Sequence, residues 1–117
     1  MIRKKYCVDG AWLESKTEKW MPVTDSSTGA VIAEVPSCTQ DEVLAAIDAA
    51  DRAFSTWSQM SLSKRTQLLF HWRNVLMEHL EELTLLCARE LGKTLNEARG
   101  DVLKAIEPTE LACATPY

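Results

Sequence analysis

The stretch Glu90-Leu91-Gly92-Lys93-Thr94-Leu95-Asn96-Glu97-Ala98-Arg99-Gly100-Asp101 constrains the fold most, because a helix stop and a helix start sit almost on top of each other. Gly92 stands where a helix C-terminus wants a residue that takes positive φ without steric cost. Two positions on, Thr94 and Glu97 have the spacing of a capping box, in which hydroxyl and carboxylate each satisfy the other's backbone amide. The pattern predicts a tight corner between two helices. It holds no nucleophile, general base or metal-ligand set, so it predicts shape and no chemistry.

On either side of the corner the periodicity predicts a strand region over 1–38 and a helical region over 39–117, within a chain of 117 residues. Tyr6-Cys7-Val8 and Trp12-Leu13 flank the turn dipeptide Asp9-Gly10. Trp20-Met21-Pro22-Val23 leads through a polar loop to Val31–Val35, which Pro36 ends. A first helix starts at Thr39, with a second capping box to Glu42. Val43, Ile47, Ala50, Phe54 and Trp57 form its apolar stripe and read as core, while Asp41, Asp48, Asp51 and Arg52 face water. A second, long helix, capped by Ser61 or Ser63, runs to Gly92 with a bend expected between His79 and Glu82. Its apolar side carries Leu69, Trp72, Leu76, Leu80, Leu83 and Leu91. A third helix turns Ala98, Val102 and Ile106 inward and must end or kink at Pro108, which cannot donate to the Lys104 carbonyl.

Composition excludes several classes of function. The formal charge is −4, with 46% hydrophobic and 26% charged residues, and the cations are scattered. A nucleic-acid binder needs a basic stripe to displace counterions. No apolar run approaches a membrane span, and the basic start is not followed by a secretory apolar segment. The cytoplasm is the expected compartment. Cys7, Cys38, Cys87 and Cys113 are far apart and have no metal-ligand spacing, so free, mostly buried thiols are expected. His71 and His79 lie eight apart, where a helical metal pair needs four. No glycine-rich phosphate loop and no Gly-x-Ser-x-Gly elbow occurs.

Several segments nevertheless match a known pattern. Asp9-Gly10-Ala11-Trp12, Ser27-Thr28-Gly29-Ala30-Val31-Ile32-Ala33-Glu34-Val35-Pro36, Ala53-Phe54-Ser55-Thr56-Trp57, Arg65, Glu90–Thr94 and Glu97–Val102 carry it. Through them the chain resembles the opening segment of the NAD(P)-dependent aldehyde dehydrogenases. Gly100–Leu103 followed by Glu110–Ala114 looks most like the CoA-acylating methylmalonate-semialdehyde dehydrogenase branch.

The resemblance implies an α/β fold whose strands and three helices would form the incomplete first part of an NAD-binding domain. Its partners would be the rest of an enzyme chain or further copies in a homo-oligomer. It implies a cysteine thiolate attacking a small aldehyde, hydride passing to NAD, and CoA or water releasing the acyl group. The family's catalytic and cofactor-binding residues lie further along its members, so no residue here is assigned to either role, and the segment alone is expected to be inactive. Glu90-Leu91-Gly92-Lys93 is not the family's catalytic Glu-Leu-Gly-Gly-Lys segment. Lys104 looks like the position where the branch places an arginine against the substrate carboxylate; lysine keeps the charge and loses the fork. Main-chain oxygens at Thr24 and Asp101 match positions that hold a structural monovalent cation in some members. Asp25-Ser26 replaces the family's common Asn-Pro. The rival reading is a stand-alone helical interaction module derived from the same family.

Overall fold

The computed structural model describes residues 2–116. They form β1 (Tyr6–Val8), β2 (Ala11–Leu13), β3 (Trp20–Thr24), β4 (Val31–Pro36), α1 (Gln40–Trp57), α2 (Leu62–Glu78), α3 (Leu80–Leu91) and α4 (Leu95–Ala114). The chain divides into two compact units, one ending at Gln59 and the next beginning at Met60. The change from strand to helix falls inside the first unit, which therefore combines both hairpins with α1.

In the first unit β1 and β2 pair antiparallel, with Cys7 opposite Trp12. Asp9 and Gly10 both have positive φ, 52° and 73°, as a two-residue turn matched to strand twist requires. The β3–β4 pair slips register between Val23 and Thr24, leaving Ile32 unopposed. Asp25 organises the intervening loop: its Oδ1 accepts from the Ser27 amide at 2.9 Å and its carbonyl from the Gly29 amide at 2.7 Å. An Asx turn thus does the work expected of the missing Asn-Pro. Pro36 ends β4 as its last residue, opposite Trp20, where a lost donor costs least. The segment before β1 lies parallel along β4, with the Lys4 amide donating to the Glu34 carbonyl and Arg3 stacked 4.6 Å from the Trp20 ring centroid.

The second unit packs α4 against α2 and α3. The expected long helix is two helices meeting at His79, whose φ of −98° and ψ of 14° leave the α basin inside the interval where a bend is expected. The helices after the strands therefore number four. Their core is small: Thr66, Leu80, Thr84, Ala98, Ile106 and Cys113 are buried. The buried Thr84 hydroxyl donates back to the Leu80 carbonyl at 2.8 Å, which satisfies it without a partner helix. Ala98 and Ile106 face inward as the periodicity indicates, with Val102 half-buried.

One expectation is narrowed and one corrected. Of the two outcomes expected at Pro108, ending is excluded: α4 runs from Leu95 to Ala114 around it. The carbonyl it strands, that of Lys104, lies on an exposed turn where water can serve it, and Ile106 and Cys113 anchor the helix on either side. The α1 stripe is not core either. Val43, Ile47, Phe54 and Trp57 are 48%, 57%, 62% and 40% exposed, and the residue α1 buries is Ala49.

Candidate functional site

The corner forms as the sequence pattern indicates. Gly92 adopts φ 69° and ψ 30°, and both its amide and that of Lys93 donate to the Ala88 carbonyl, closing the end of α3. Thr94 Oγ1 accepts from the Glu97 amide at 3.3 Å while Glu97 Oε2 accepts from the Thr94 amide at 3.2 Å. Glu97 is held below the ordinary carboxylate range by these bonds, first that from the Thr94 hydroxyl and then that from the amide. Lys93 pairs with Asp101 across the corner, and this contact raises its ammonium pKa. Arg99 of α4 pairs with Glu81 of α3, and Arg73 of α2 places Nε and Nη2 on Glu110 Oε1 of α4 at 2.8 and 2.7 Å. These bonds fix how the three helices meet and leave no acid, base or nucleophile poised for transfer.

The Lys104 ammonium is exposed on α4, and it makes no ion pair or side-chain hydrogen bond among the described residues. Thr24 ends β3 in the first unit; Asp101 lies in α4 of the second, with its carboxylate committed to Lys93. All four cysteines are free, but they are not mostly buried. Cys113 is buried, Cys38 and Cys87 are half-buried and Cys7, in the short β1–β2 hairpin, is exposed. Among the described residues no group of three or more His, Cys, Asp or Glu is placed to hold a metal ion, and no helix is long and apolar enough to cross a membrane.

A dinucleotide does not fit these residues. Its pyrophosphate needs free amides at a helix N-terminus. At the starts of α1, α2 and α4 the oxygens of Thr39, Ser61 and Thr94 already take one of those amides each, and no glycine-rich turn leads into any of them. The uncapped start of α3 carries Glu81 and Glu82 in its first turn, which would repel an anion.

What the structure offers is surface. Besides the α1 stripe, Phe70, Trp72, Leu85, Leu86 and Leu91 of α2 and α3 are each at least 49% exposed. One polar cluster lies outside the reach of local pattern. Glu42, expected only as half of a cap, also accepts from the Lys16 amide at 2.7 Å and from Ser15 Oγ at 2.8 Å. The Lys16 amide, then the Thr39 amide and the Ser15 hydroxyl, hold its carboxyl below the ordinary range. The one available sequence signal is a Ser-Lys-Thr turn segment facing an acidic helix start.

The sequence profile described as the aldehyde dehydrogenase family matches residues 12–116. The chain is 42% identical over 116 residues to a malonate-semialdehyde dehydrogenase of Listeria monocytogenes, covering 98% of this chain and 24% of that protein. It is 38% identical over 110 residues to a probable acylating methylmalonate-semialdehyde/malonate-semialdehyde dehydrogenase of Aedes aegypti, covering 94% of this chain and 21% of that one. The fold superposes on an NADP-dependent enzyme of E. coli with a TM-score of 0.89 and 34% identity, over 97% of this chain and 24% of the other. The chain therefore spans about a quarter of the length of the relatives it matches.

Proposed function

The chain belongs to the aldehyde dehydrogenase family, and from that premise we propose that it is the opening section of a malonate- or methylmalonate-semialdehyde dehydrogenase. In this reading its helices close over a nucleotide-holding body supplied by other residues of the same protein. The observation that carries it is the outward apolar surface, with Phe54 62% and Ile47 57% exposed in a chain matching 24% of a relative's length. Soluble domains seldom leave such faces uncovered unless something docks there.

NAD(P), when held by that body, supplies the hydride acceptor, and CoA takes the acyl group. The attacking cysteine also lies there; Cys113, 1% exposed within the second unit, is out of reach of any substrate. Lys104 supplies charge for the semialdehyde's carboxylate, since its ammonium is exposed and unclaimed. The cytoplasm is the compartment proposed.

The test compares the 117-residue chain with one extended to its relatives' length, each given malonate semialdehyde, NAD and CoA. The extended chain is expected to form NADH and the short one none. Replacing Lys104 by Ala in the extended chain should raise KM for the semialdehyde about tenfold and leave an uncharged aldehyde unaffected. NADH formation by the short chain alone would overturn the proposal. A well-dispersed monomer with a cooperative melt would favour a stand-alone interaction module.

A further inference from the structure

We infer that the β1–β2 hairpin is a strap fastened to α1 through Glu42, able to lift while α1 stays helical. Apolar packing holds it only in part: Tyr6 and Val8 of β1 are half-buried and Cys7 between them is exposed. A groove of about 270 Å³ separates Cys7, Val8 and Asp9 from the alanine face of α1 at Ala46, Ala49 and Ala53. Methyl groups are too short to fill that space, and all of β2 is exposed. Unfilled space forfeits the dispersion contacts that would otherwise anchor the hairpin.

The segment ahead of β1 is tied to β4 through Glu34, but the polar fastening of the hairpin to α1 converges on one side chain. Glu42 Oε1 takes the Lys16 amide at 2.7 Å, and Oε2 takes Ser15 Oγ at 2.8 Å and the Thr39 amide at 2.8 Å. Ser15 and Lys16 directly follow the hairpin, so holding them holds its second strand. Ser15 is itself braced, its Oγ accepting from the Thr17 amide at 3.1 Å. Charge-assisted bonds of this kind are the strong ones. The helix has a separate support: Thr39 Oγ1 accepts from the Glu42 amide whatever the carboxylate does. Strap and helix therefore separate at Glu42.

Hydrogen exchange read by mass spectrometry tests this in the chain or in any longer form of the protein. E42A should speed exchange across residues 5–16 about tenfold or more and change residues 44–57 less than about twofold. S15A should give a smaller acceleration of the same segment. T39A should do the reverse, fraying the start of α1 with the strap in place. If E42A loosens α1 as much as the hairpin, Glu42 is only a cap and the inference fails. If residues 5–16 are indifferent to E42A, something else fastens them and it fails equally.

Discussion

The first helix and the last both start at a capping box and carry apolar side chains along their length, and they have opposite fates. In α4, Ala98, Ile106 and Cys113 find cover from α2 and α3, and the helix tolerates a proline in its middle. In α1, Val43, Ile47 and Phe54 repeat as regularly and stand open, with only Ala49 buried. Periodicity thus reports which face of a helix is apolar; it says nothing about whether the cover lies in the same chain. The same reasoning explains how the helix survives Pro108. Its covered side chains hold it, where in α1 helicity rests on the cap and on propensity.

The comparison breaks most sharply on matched truncations. Ile106→Ala should cost about 2–5 kcal/mol, since it opens a cavity in the small core. Phe54→Ala should stay within about 0.5 kcal/mol in the 117-residue chain despite the larger side chain. Denaturant titration of both variants checks this, and equal losses would erase the distinction. Gly92→Ala comes next, at about 1–2 kcal/mol, because φ of 69° forces a Cβ into the left-handed region; the same titration reads it.

Acid should act on both caps alike. Glu42 and Glu97 have depressed pKa values when folded, so their contribution is complete above the unfolded carboxylate value, about 4.3. It is lost as pH falls through the lower folded values. Helicity measured by circular dichroism should therefore hold to about pH 4 and decline below it, and E42Q with E97Q should flatten that decline. The smallest effect belongs to the surface pair between α3 and α4. Arg99→Ala should cost less than about 1 kcal/mol and matter less in high salt, by the same titration.

Features set by neighbours in sequence were legible from the residues alone. Thr39 with Glu42, Thr94 with Glu97, Gly92, and Asp9 with Gly10 each act over three residues or fewer, and all appear in the structure as the pattern indicates. The break at His79 was legible as a place, but not as two separate helices. What depends on distant residues was not legible. The grip of Glu42 on Lys16 spans 26 residues, the exposure of Cys7 depends on what fails to lie over it, and the passage of α4 through Pro108 depends on packing. The resemblance to aldehyde dehydrogenases was legible because it rests on local words such as Glu90–Thr94, and the family match bears it out. What Lys104, Thr24 and Asp101 would each bind lies outside these residues, so their chemistry is not written in local pattern.

Carbene footprinting of the α1 face, read by mass spectrometry, bears most directly on the account. It should be run at dilutions where the chain is monomeric, on the 117-residue chain and on one extended to its relatives' length. Val43, Ile47 and Phe54 should label strongly in the short chain and be protected in the long one, while Ile106 is protected in both. Equal labelling of the α1 face in the two would mean that nothing in the longer protein covers it, and the account would be wrong.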